Sequence, residues 1–204
     1  MSEMDRREVV RLLAAAPFAL AFPWAPAEVE RAARAARSAL AGDEAFEPKF
    51  FDPHEWETAR VLVDIILPRD ERSGSATDAG VPEFMDFILT DPLLTGREEA
   101  QNSMRGGLAW LDDECGRRFG KTFLECAAPE RTAVLDEIAW PDRAPPELSH
   151  GVAFFNRFRD LTASGFWSSR LGVEDLRYMG NVPVHEWRGC PAPQLRKLGL
   201  RSEE

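Results

Sequence analysis

This chain of 204 residues has only three cysteines and three histidines, and their spacing removes several chemistries at once. Cys115, Cys126 and Cys190 form no C-x-x-C pair, which excludes a ribbon-type zinc site, a thioredoxin-like redox motif and c-type haem attachment. His54, His150 and His185 lie far apart, and "HEWET" at His54 begins like a zinc-protease motif without its second histidine. There is no G-x-G-x-x-G, no phosphate loop and no G-x-S-x-G elbow. No catalytic, cofactor-binding or metal-ligating residue is therefore assigned. A run of Lys or Arg is also missing, and the formal net charge is −10; such a chain is poorly suited to nucleic acid or an anionic membrane surface. Beyond the first 22 residues no apolar stretch approaches the about 20 residues that a membrane-crossing helix needs. Nowhere do β-branched residues alternate as a half-buried strand requires, so the expected fold class is all-α.

The first residues are of another kind. In "DRREVVRLLAAAPFALAF", Arg6 and Arg7 precede Val9, Val10 and Arg11, followed by a short run of Leu, Ala and Phe. The pattern R-R-x-apolar-apolar-R resembles a twin-arginine export signal, with Asp5 where that signal usually carries Ser or Thr. Two A-x-A cleavage patterns follow, Ala19-Leu-Ala21 and Ala25-Pro-Ala27. We expect a leader over residues 1–27, a helical linker over 28–49 and one helical domain over 50–204. The competing reading of the opening is an amphipathic helix with a basic start. The twin-arginine route exports folded proteins, so its user either holds a cofactor or accompanies a protein that does.

Helical patterns fill the rest. "PAEVERAARAARSALAG" reads as a surface helix or linker stopped at Gly42. In "DPHEWETARVLVDIILP", Asp52 is the expected N-cap, Pro53 suits the first turn and Glu55 completes a capping box. Ala59, Leu62, Val63 and Ile66 then form one stripe, ended by Pro68. A polar loop, "RDERSGSATDAG", leads to a helix with Phe84, Phe87 and Ile88 on one side. A long helix is expected through "GREEAQNSMRGGLAWLDDECGRRFG", interrupted or closely packed at Gly106-Gly107 and closed by Gly120. Two more follow, one with Leu135, Ile138 and Ala139 inward, one with Phe154, Phe155, Phe158, Leu161 and Gly165 at helical spacing. The acidic run Asp112-Asp113-Glu114 reads as a solvated face.

From Tyr178 onward, glycines and prolines preclude a long helix, yet Tyr178, Val182, Val184 and Trp187 are too apolar for a free tail. An extended segment lying against its own domain or a partner chain is expected. Trp56, Trp110, Trp140 and Trp167 fall in or beside helices, where core packing is the default. Trp187 stands in the irregular tail and is a candidate partner contact. The odd cysteine count of an exported chain points either to pairing between chains or to buried free thiols.

Three successive stretches carry a resemblance. They are "VLVDIILPRDERSGSATDAGVPEFMDFILTD", "GLAWLDDECGRRFGKTFLECAAPERTAVLDEIA" and "FFNRFRDLTASGFWSSRLGVEDLRYMGN". Over roughly residues 50–190 they resemble the gluconate 2-dehydrogenase subunit 3 family, small or gamma subunits of periplasmic flavin-dependent sugar and sugar-acid dehydrogenases. The resemblance implies a non-catalytic subunit bound to a large flavoprotein of the glucose-methanol-choline type, which would hold FAD, beside a multihaem cytochrome c. It also implies periplasmic localisation, with the small subunit supplying the export signal, Arg6 and Arg7, for both chains. Tyr178, Trp187 and Cys190 are then the candidate partner contacts. A stand-alone periplasmic binding or anchoring protein is the competing expectation.

Overall fold

The computed structural model describes residues 24–42, 45–178, 189–190 and 192–199. Among these it contains eight α-helices and no strand, as the absence of alternation predicts. They are α1 (Pro26–Leu40), α2 (Pro53–Ile66), α3 (Val81–Thr90), α4 (Arg97–Phe119), α5 (Ala128–Ile138), α6 (Ser149–Ser168), α7 (Arg170–Asp175) and α8 (Ala192–Lys197).

Local chemistry sets most boundaries. The Asp52 carboxylate accepts the Glu55 N–H at 2.8 Å, and the Glu55 carboxylate accepts the Asp52 N–H at 3.0 Å, which closes the expected capping box at the start of α2. Helix α4 ends where Gly120 turns to a φ of 68°, a left-handed C-cap that only glycine adopts without strain. The loop before α3 is polar but ordered: Asp78 accepts the Ser75 N–H at 2.7 Å and Asp64 accepts the Thr77 N–H at 2.7 Å. Ala76 is fully buried beneath it.

Helices α3 and α6 form the centre, with α1, α2, α4 and α5 packed around them. On α3 burial extends well beyond the expected stripe, because Val81, Phe84, Met85, Ile88 and Leu89 are all enclosed. Asp86 is buried in the same helix and accepts the N–H groups of Lys49 and Phe50 at 3.0 and 2.8 Å. The carboxylate thus pins the segment before α2 to the core, and Arg105 holds its other side through the Phe50 carbonyl at 2.7 Å.

Helix α4 runs without a break. Gly107 is the close approach: a Cβ there would lie 1.8 Å from the Phe154 ring of α6, so the two helices meet at a distance no larger residue allows. The same device recurs at Gly165, where a Cβ would lie 2.7 Å from Phe84. Helix α1 is more than a connector, because Ala32, Ala33 and Ala36 are buried where it packs against α3 and α6.

Candidate functional site

An apolar concavity lies between α1 and α6. It is a groove of about 740 Å³ lined by Trp24, Val29, Ala33, Ala163, Ser164 and Trp167. Ala33, Ala163 and Ser164 are small side chains in its lining, and they fill little of the space between the two helices. The Arg37 guanidinium bridges one end by donating to the Ser168 carbonyl at 3.0 Å.

Trp24 forms the opposite end, with only 7% of its surface exposed. Its indole N–H is buried with no partner among the described residues, whereas a buried indole normally finds an acceptor. Glu28, itself buried, fixes this end of the groove: its carboxylate accepts the Ala25 N–H at 2.9 Å and the Thr95 N–H at 3.1 Å. Trp167 lies edge-on to Phe166 with ring centroids 4.9 Å apart and is 38% exposed. A mostly apolar, open groove with a fixed rim can take an apolar segment of another chain, with Glu30 and Arg37 among its polar lining residues.

The expected contact residues divide. Tyr178 is 63% exposed, and Cys190 is exposed with a free thiol. Arg6, Arg7 and Trp187 lie outside the described residues. The default assignment of tryptophans to the core holds in part for Trp56 and Trp110, which are half-buried against it. It fails for Trp167 and for Trp140, which is 59% exposed beyond the end of α5 with Arg143 over its ring at 5.7 Å. Sequence reasoning missed Trp24, Ala33 and Ala163 as groove residues; the small-residue spacing in "RAARAARSA" was the available signal, and by itself it also fits ordinary close packing.

The acidic run on α4 needs correction, because only Asp113 is a solvated charge. Asp112 lies 2.6 Å from His54 Nε2 and accepts the Phe123 N–H at 2.8 Å, joining the start of α2 to the segment before α5. Glu114 is 7% exposed and accepts from Arg117 at 2.7 Å, while Arg118 links it to Glu137 of α5 at 2.7 Å. The Arg117 guanidinium holds the Glu114 carboxyl below its ordinary range against the opposing effect of burial, and Arg118 adds to the lowering. Close by, Cys115 and Cys126 are buried free thiols. Burial, reinforced by the Cys126 thiol beside it, pushes the Cys115 pKa up to about 12, so neither nucleophilic nor redox work is suited to it. Among the described residues no group of three or more His, Cys, Asp or Glu could hold a metal ion, and no helix is long and apolar enough to cross a membrane.

Neither curated proteins nor solved structures yield a match to the chain. The family model for gluconate 2-dehydrogenase subunit 3 matches residues 53–186, a span that begins at the first residue of α2 and takes in α3, α4, α5, α6 and α7. With about two thirds of its length covered by that match, the chain belongs to the gluconate 2-dehydrogenase subunit 3 family.

Proposed function

We propose that this protein is the non-catalytic small subunit of a periplasmic flavin-dependent sugar or sugar-acid dehydrogenase. In this reading it stabilises a large flavoprotein of the glucose-methanol-choline type, which holds the FAD, and carries that partner through the twin-arginine route on its own Arg6-Arg7 signal. The family supports the subunit role. The observation that carries the reading further is the α1–α6 groove, which keeps about 740 Å³ of largely apolar-lined space open between two helices.

An apolar segment of the large subunit fits this groove, with a carbonyl to accept the Trp24 N–H, which has no partner among the described residues. Trp167 supplies the aromatic anchor that interfaces favour. Tyr178 and Cys190, both exposed, and Trp187 remain candidates for a second area of contact, and a multihaem cytochrome c would meet the assembled pair rather than this chain alone.

The test is tagged purification from the periplasm followed by an absorbance spectrum and mass identification of what accompanies the chain. A flavin spectrum with a large co-purifying oxidoreductase is the expected result. Replacing Arg6 and Arg7 by Lys should strand both chains in the cytoplasm, and normal export of the dehydrogenase in that variant would end the escort reading. A colourless chain without companions, from cells shown to express a flavin dehydrogenase, would favour the stand-alone binding or anchoring protein.

A further inference from the structure

The α1–α6 groove has two polar ends, and they differ in chemistry. At one end the buried Trp24 indole N–H has no acceptor among the described residues. At the other, Arg37 donates to the Ser168 carbonyl at 3.0 Å and forms no ion pair among the described residues. The carboxylates around Arg37 are taken. Glu30 is held by Arg34 at 2.6 Å, and Asp78 and Glu174, which line the adjoining concavity with Arg37, are held by Arg69 and Arg170 at 2.6 and 2.8 Å. Along α1, Val29 and Ala33 lie between the two ends.

Each end selects a different group. An indole N–H only donates, and a carbonyl oxygen answers it. A guanidinium anchored through one N–H keeps further donors in a planar fork that matches a carboxylate. A fatty acid would satisfy Arg37 with its head but lay its methyl end against the Trp24 N–H, where nothing accepts. A helix uses its carbonyls internally except in the last turn, and one ending at Trp24 would turn its positive N-terminal end toward Arg37. Extended backbone has neither defect, because its carbonyls stand free at the side. At a helical rise of about 1.5 Å per residue, Pro26 and Arg37 lie about 16 Å apart along α1, a length that about five extended residues cover.

We infer that the groove takes an extended segment of the proposed large flavoprotein, apolar in its middle, with a backbone carbonyl on the Trp24 N–H and a carboxylate on Arg37. This rests on the subunit reading given above. The carboxylate belongs either to an Asp or Glu side chain or to the end of the partner chain.

Photo-crosslinking identifies the segment: p-benzoylphenylalanine replaces Trp167 in the full chain, the purified complex is irradiated, and the linked peptide is mapped by mass spectrometry. That peptide, synthesised with a free or an amidated C-terminus, is then titrated against the full chain. Arg37→Gln should weaken its binding by about tenfold or more. Trp24→Phe, which keeps the ring and removes the N–H, should weaken it by about fivefold. Arg60→Gln, on α2, should leave it unchanged. Loss of affinity on amidation assigns the carboxylate to the chain end, and loss on changing an internal Asp or Glu to its amide assigns it to a side chain. Unchanged affinity in the Arg37 and Trp24 variants, a linked segment without a carboxylate, or a fatty acid found in the groove by native mass spectrometry would each overturn the inference while the subunit role stood. A chain that purifies without any flavoprotein would end the subunit reading, and the inference with it.

Discussion

On the side of α6 that meets α3 and α4, Phe154 covers Gly107 and Phe84 covers Gly165 so closely that a single added methyl would collide with a ring. On the side that meets α1, Ala163, Ser164 and Trp167 line a groove of about 740 Å³ together with Val29 and Ala33. Both sides are built from small and aromatic residues, so composition does not separate them. What differs is the filling: on the closed side each glycine receives an aromatic ring, while on the open side small residues line a space that no ring of this chain fills, with Trp24 buried at one end and Trp167 exposed. The closed side spends its apolar surface on this chain's own stability, whereas the open side leaves apolar surface uncovered, where a second chain would gain by covering it.

If that contrast is right, the effects of substitution should be graded. Gly107→Ala forces the Phe154 ring to move in a packed interior and should cost about 2 to 3 kcal/mol in urea denaturation; an unchanged midpoint would show that the closed side has slack. Glu114→Gln, behind the same packed region, should cost about 2 kcal/mol at neutral pH by weakening the bonds to Arg117 and Arg118. Because the carboxyl is held below its ordinary value of 4.5 in the fold, its contribution is complete above that value. It is lost as the pH falls through the lower folded value, where the variant and the parent should converge.

The cysteines probe the same contrast without substitution. In the native protein a neutral-pH thiol reagent should modify Cys190 alone, whereas Cys115 and Cys126 should react only after denaturation. Fast labelling of three thiols in the folded chain would mean that the α4–α5 region opens readily. The smallest effect on stability is expected on the open side. Ala163→Glu should leave the isolated chain within about 0.5 kcal/mol of the parent. The same substitution should weaken capture of the proposed large flavoprotein partner by at least about tenfold, because a carboxylate would then be desolvated in an apolar contact. Undiminished capture would move the partner surface away from the groove.

Features written within a few residues were legible before the fold was known. The capping box of Asp52 and Glu55, the stripe of Ala59, Leu62, Val63 and Ile66, and the Gly120 stop depend on neighbours three or four positions away, and each stands in the structure as expected, with Ile66 half-buried at the end of the stripe. The acidic run failed as a solvated face because its partners are remote: Asp112 meets His54, 58 residues earlier, and Arg118 carries Glu114 to Glu137, which lies 19 residues beyond that arginine. Trp167 shares its helix and its aromatic character with the buried phenylalanines, and no local pattern tells which side of α6 another helix will leave open.

By itself the sequence determined the helical class, the ends of the main helices and the family, because hydrophobic period, caps and the order of short motifs are local properties of the chain. Tertiary structure alone decided which small residues became sockets and which became a groove. It also decided that Trp24 and Glu28 belong to the folded domain, and that Arg37 reaches Ser168 across a separation of 131 residues. Those outcomes depend on how far apart two helices settle, and that distance is fixed only when the side chains of both are packed together.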